Sequence, residues 1–107
     1  MTDLIRDLLK QTSKPVAYQE YTGSESEYIR FFYLPQVDFQ ADDGEVYSTH
    51  YIQVDLFTPY DPRGVANQIK QIMKQAGFKK SFEHETFEED TKLFHCVLRF
   101  WITKEEK

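Results

Sequence analysis

"YDPRGVANQIKQIMKQAGF" (60–78) decides how this chain folds. Val65, Ala66, Ile69, Ile72, Met73 and Ala76 recur at steps of three and four residues, so they form one apolar stripe along an α-helix. Asp61 is the expected N-cap. Pro62 takes the first helical position, where a missing N–H costs nothing. Lys70 and Lys74 suit the negative end of the helix, and Gly77 closes it. Such a stripe must be buried against another element, and the flanking sequence supplies strands for it.

On the N-terminal side, "VYSTHYIQVDLFT" (46–58) alternates: Ile52, Val54 and Leu56 point one way, Gln53, Asp55 and Phe57 the other. The turn "ADDGE" (41–45), with Asp43-Gly44 as its hairpin dipeptide, joins this run to "YIRFFYLPQVDF" (28–39). Segments 28–39 and 46–57 therefore read as an antiparallel hairpin, with Pro35 at an edge or bulge. On the C-terminal side, 78–87 and 93–102 are strands joined by "EEDTK". In the second of them Phe94, Cys96, Leu98, Phe100 and Ile102 alternate with His95, Arg99 and Trp101.

The N-terminus adds a short amphipathic helix over 3–11, built on Leu4, Ile5, Leu8 and Leu9 behind Thr2. It ends at 13–15, because the residue before Pro15 avoids helical angles. "PVAY" (15–18) is a short strand candidate and "TGSESE" (22–27) a solvated loop. The order is α-β-β-β-α-β-β. It predicts an α+β fold, a small antiparallel or mixed sheet flanked by two helices, in one domain spanning 1–107.

Composition narrows the function. The 107 residues are 40% hydrophobic and 16% aromatic, enough for a core and too apolar for a disordered chain. The formal charge is −5, and no lysine or arginine track stands out to grip a nucleic acid. A lone cysteine makes no internal disulfide, which fits a reducing compartment. The N-terminus lacks an apolar run of signal-peptide length, and no stretch approaches a membrane span. A soluble protein made inside the cell is expected.

The stretch richest in reactive side chains is "EHETFEEDTKLFHC" (83–96). A hairpin folded about 89–91 places His84 opposite Cys96 and Glu85 opposite His95. Zinc needs three or four converging ligands, usually with CxxC or HxxxH spacing, and neither spacing is present. Cys96 belongs by parity to the apolar row and His95 to the opposite one, so the two cannot act as a nucleophile pair. His50 and Asp55, five residues apart, also face opposite sides. Glu88, Glu89 and Asp90 sit in an exposed turn that offers no desolvation to separate their proton affinities. There is no phosphate-binding loop and no nucleophile elbow. The expectation is a charged hairpin turn, no metal, no cofactor and no enzyme; on that reading His95→Gln changes stability by less than about 1 kcal/mol.

The aromatic residues raise the remaining question. Phe31, Phe32 and Tyr33 are consecutive, so both faces of their strand carry rings, and Tyr47, Tyr51, Phe57 and Trp101 lie opposite the best apolar rows. Either one helix covers each face of the sheet, or a face or edge is covered by a neighbouring subunit. On the second reading the candidate subunit interface is Phe31, Tyr33, Tyr47, Tyr51, Phe57 and Trp101.

Three segments in order, "THYIQVDLFT", "QIKQIMKQAGF" and "FEEDTKLFHCVLRF", resemble a family of small tail completion proteins. These are the tail terminator and head–tail joining proteins of siphophages and prophages of Gram-positive bacteria. The resemblance covers roughly residues 28–102. It implies a structural subunit of the virion that caps the tail tube and joins tail to head as a ring, by analogy a hexamer. The implied partners are copies of itself, the major tail protein and head–tail connector proteins, with DNA as passing cargo. A ring would turn an acidic loop into its lumen, making Asp38, Asp42, Asp43 and Glu45 at one hairpin tip, and Glu88, Glu89 and Asp90 at the other, candidate lumen residues. The alternatives are another neck adaptor or a stand-alone bacterial module binding a small ligand in a sheet–helix cleft. The acidic loop near 20–27 and Cys96 depart from the family pattern.

Overall fold

The computed structural model describes residues 1–35 and 46–106, apart from the side chains of residues 46, 47, 105 and 106. Helix α1 spans Thr2–Leu9 and runs on into a 3-10 turn over Lys10–Thr12. Strands β1 (Val16–Tyr18), β2 (Tyr28–Tyr33) and β3 (Val46–Thr58) follow, then α2 (Arg63–Gln75), β4 (Lys79–Glu88) and β5 (Leu93–Glu106). This is the expected α+β order. The strands form one sheet in the order β1-β2-β3-β5-β4, parallel between β1 and β2 and antiparallel elsewhere. The expected hairpin of β2 and β3 is present, registered from Tyr28↔Phe57 to Tyr33↔Ile52.

Local chemistry explains the boundaries of α2. The helix starts at Arg63 with Pro62 at its N-cap, one residue later than the sequence predicts, and the Asp61 carboxylate still accepts the Arg63 backbone N–H at 3.0 Å. At the other end Phe78 N–H reaches the Met73 carbonyl and Gly77 N–H the Lys74 carbonyl, each at 3.0 Å, a Schellman closure. Gly77 has φ 99°, a conformation that costs other residues strain. Phe78 is thereby turned into the core, and β4 starts at once.

Both helices lie on the same face of the sheet. Ile5 and Leu9 of α1 and Ala66, Ile69 and Met73 of α2 share one core with the β2–β3–β5 row that runs from Ile29 and Phe31 to Leu98 and Phe100. The arrangement with one helix on each face is therefore not adopted. The reason lies in the opposite row, where Arg30, Gln53, Asp55, His95 and Arg99 pair with one another and offer an apolar helix stripe little to pack against. Leu4, expected on the stripe of α1, is exposed instead, because the stripe that meets the sheet is Ile5 and Leu9.

Strands β3 and β5 pair over thirteen positions, from Val46↔Glu106 to Thr58↔Phe94. Strand β2 reaches only to Ile52 in this ladder and β4 only to Trp101. Residues 46–50 and 102–106 thus continue, among the described residues, as a two-stranded ribbon, and the molecule measures 51 × 24 × 24 Å. Thr49 and Thr103 share a hydroxyl hydrogen bond of 3.0 Å across it.

Phe100, 1% exposed, fills the middle of the core, so Phe100→Ala is expected to cost about 3–5 kcal/mol. Gly77→Ala, which creates no close contact, is expected to cost only about 1–2 kcal/mol from backbone strain. Urea unfolding of the two variants beside the parent measures both, and equal losses would contradict the assignment of their separate causes.

Candidate functional site

The face without helices is built from every second residue of four strands: Tyr28, Arg30 and Phe32 of β2, Tyr51 to Phe57 of β3, His95 to Trp101 of β5, and Phe82 to Thr86 of β4. At its centre Asp55 is 0% exposed. Arg30 donates from Nε and Nη2 to Asp55 Oδ2 at 3.1 and 2.8 Å. Gln53 Nε2 donates to Oδ1 at 2.9 Å, and His95 Nε2 lies 3.1 Å from the same oxygen, so that nitrogen carries the proton when the carboxylate is ionised. Arg99 Nε extends the network by donating to Gln53 Oε1 at 3.0 Å. Burial pushes the Asp55 carboxyl up, but the hydrogen bonds from His95, Arg30 and Gln53 outweigh it and hold the group below its ordinary value of 3.8.

Aromatic rings pave the rest. Tyr21, Tyr28, Phe57 and His95 stack in sequence with centroids 4.1, 4.8 and 4.2 Å apart. Tyr21 lies over Gly23, where a Cβ would strike its ring, so glycine lets the loop close onto the stack. The Arg30 guanidinium sits 5.2 Å from the Phe57 ring and that of Arg99 4.8 Å from Phe82, while the Lys79 ammonium is 5.1 Å from Trp101. The face is aromatic and cationic, with the Asp55 carboxylate buried at its centre and Glu88 half-buried at its edge beside Tyr28. It has the chemistry of a contact surface.

The candidate interface residues divide across the two faces. Tyr51 (37% exposed), Phe57 and Trp101 are on the uncovered face, with Phe57 closed inside its ring stack. Phe31 is 0% exposed in the helix-covered core and cannot touch a neighbour, so its place among them is corrected. Tyr33 also faces the helices, and its hydroxyl meets that of Thr2 at 3.1 Å. Tyr47 pairs with Glu105 through the backbone, its side chain outside the described residues. Asp38, Asp42, Asp43 and Glu45 lie outside the described residues too.

The last hairpin differs from its expected register by one residue: His84 faces Val97, Glu85 faces Cys96 and Thr86 faces His95. Lys92, at φ 60°, adds a turn residue and returns its N–H to the Glu88 carbonyl at 2.8 Å. His84 therefore shares the uncovered face with His95, while Cys96 is buried among the core residues. Burial pushes the Cys96 thiol up to about 11, leaving it without nucleophilic character. Among the described residues no three His, Cys, Asp or Glu converge on a possible metal position, and no helix is long and apolar enough to cross a membrane. The Asp55 network was missed from sequence. A signal for it existed, because an acidic residue between Val54 and Leu56 in the central strand demands cationic partners on the neighbouring strands.

No family model matches the chain, and no curated protein matches it in sequence. Its fold is shared with solved structures. One is a chain of the virion of a native gene transfer agent particle, with TM-score 0.61 and 13% identity, covering 92% of this chain and 84% of that one. Another has TM-score 0.59 and 16% identity, covering 100% of this chain and 96% of the other.

Asp55 generates a pH test. Its folded-state value lies below its unfolded one, so it contributes stability that is fully present above the unfolded value, about 3.9, and is lost as pH falls through the folded value. The urea midpoint of the parent should drop over that acid range, and Asp55→Asn should lower the midpoint at pH 7 while flattening the drop. Parallel profiles for the two proteins would contradict the assignment. His95→Leu removes a hydrogen bond to a buried charge, so we expect a cost of about 1.5–3 kcal/mol at pH 7.

Proposed function

We propose that this chain is a structural subunit of a tailed phage or prophage, capping the tail tube and joining tail to head as a ring. The observation that carries the reading is the fold shared over 92% of the chain with a chain of the virion of a gene transfer agent particle. Two features support it. The family resemblance in residues 28–102 predicts this element order, and the uncovered face offers a preorganised aromatic and cationic surface of the kind that subunits bury against one another. The reading calls for no catalytic machinery.

In this role the partners are copies of the same chain, probed as a hexamer, together with the major tail protein and the head–tail connector. DNA passes and is not held, in keeping with 18 acidic against 13 basic residues. The chain is then a virion component made in the host cytoplasm. A sixfold ring distinguishes tail capping from a twelvefold neck adaptor.

Purified particles decide the matter. Antibody to this chain, viewed by electron microscopy, should label the head–tail junction, and particles made without the gene should show unjoined heads and tails. Absence of the chain from purified virions by mass spectrometry would reject the reading.

A further inference from the structure

The helix-covered side carries a second feature that the uncovered face does not explain. A cavity of about 360 Å³ opens where α2 ends and β4 begins, lined by Lys70, Lys74, Phe78, Lys79, Lys80 and Phe100. Its floor is aromatic and its rim holds four of the thirteen cationic residues of an acidic chain. Lys70 and Lys80 are held in place by Glu83, at 3.1 and 2.7 Å. Lys74 makes no ion pair among the described residues, and Lys79 leans on the Trp101 ring. The Lys79 ammonium is thereby drawn toward the uncovered face, and that of Lys74 is left facing solvent beside an apolar floor.

The far end of the same hairpin is its complement. Strand β4 runs from Lys79 and Lys80 to Glu88, and the eight residue steps from Lys80 place the acidic turn about 27 Å away. There Glu89 and Asp90 project beyond the sheet, while Glu88 still pairs with Leu93 and turns to the uncovered face beside Tyr28. Glu89 has an ion-pair partner, Lys92 at 3.2 Å, and Asp90 has none among the described residues. Phe87, 43% exposed, accompanies them on the helix-covered side, where its ring meets Phe94. A protruding turn with two exposed carboxylates and an aromatic ring beside it matches a concave, lysine-rimmed, aromatic-floored cavity in charge, shape and apolar content.

We infer that copies of this chain join head to tail, the acidic β4–β5 turn of one copy seating in the lysine-rimmed cavity of the next. Complementary patches at opposite ends of one hairpin make a heterologous contact, which repeats until it closes as a ring. A two-fold pair would have to align two β4 edges antiparallel. The bulge between Lys80 and Phe82 interrupts the straight edge that such pairing needs. The inference deepens the ring reading by naming its contact, and it moves Glu89 and Asp90 from the lumen to the seam between subunits.

Two charge-reversed proteins test it: Lys74→Glu/Lys79→Glu, and Glu89→Lys/Asp90→Lys. All four positions are exposed, and circular dichroism melting shows whether each variant folds; single Lys74→Glu and Asp90→Lys variants serve if a double one does not. Sedimentation velocity and native mass spectrometry at low salt should show the parent associating beyond two copies and dissociating as salt is added. Each variant alone should weaken self-association at least about tenfold. An equimolar mixture should recover it with one-to-one composition, since each acidic turn then meets a basic cavity and each basic turn an acidic one. A parent that stays monomeric or stops at two copies, a folded variant that associates like the parent, or a mixture that does not recover would each overturn the inference. The contact is read on purified protein and the function on particles. A chain that passes this test yet is missing from virions refutes the tail role alone, and a chain found at the neck that fails this test refutes the contact alone.

Discussion

A carboxylate with no access to water sits in the central strand, and its needs organise the sheet around it. Asp55 takes hydrogen bonds from Arg30 on β2, Gln53 on its own strand and His95 on β5, so three strands are tied through one group. A buried charge is costly unless it is fully paired, which makes these partners obligatory. The same pairing keeps a second apolar layer off that face. A slip of β2 or β5 by one residue would carry Arg30 or His95 into the aliphatic row and leave the carboxylate unmatched. The charge therefore guards register as well as orienting side chains.

The rings depend on it in turn. His95 ends the stack that runs through Phe57 and Tyr28 to Tyr21, and its hydrogen bond to Asp55 fixes the plane of the last ring. Arg30 serves both systems, paired with the carboxylate and lying over Phe57. A loop far in sequence is ordered by the same chain of contacts, because Tyr21 receives the Glu25 N–H at 3.0 Å. Nearby, Glu27 joins Lys14 at 2.8 Å and accepts the Thr58 hydroxyl at 2.6 Å. The acidic stretch near 20–27, which departs from the resembled family, thus acts here as a brace across the end of β3.

Period and capping made much of the architecture legible. The stripe of α2, its Gly77 exit, the two rows of β3 and the inward parity of Cys96 all follow from local rules, and each stands in the structure. Distribution of the helices between faces was not legible from stripes alone, since an apolar stripe does not say which side of a sheet it meets. Phe31 illustrates the limit: in a run of three aromatics, burial depends on register with Val54, a long-range fact. The register of the last hairpin turned on one left-handed residue, Lys92, that composition does not announce. The parallel pairing of β1 with β2 had no sequence signal beyond a short strand candidate.

The β3–β5 ribbon bears on how the molecule would respond to force. Its thirteen registered positions lie along the 51 Å axis, and ladder hydrogen bonds run perpendicular to the strands. Tension drawing β3 and β5 apart lengthwise would load those bonds together in shear, and none could yield before its neighbours. Tension that peeled the ribbon apart from the Val46–Glu106 pair would open them one at a time. The same ladder is thus stiff in one direction and weak in another, so the angle at which a pull arrives decides whether the chain holds or unzips.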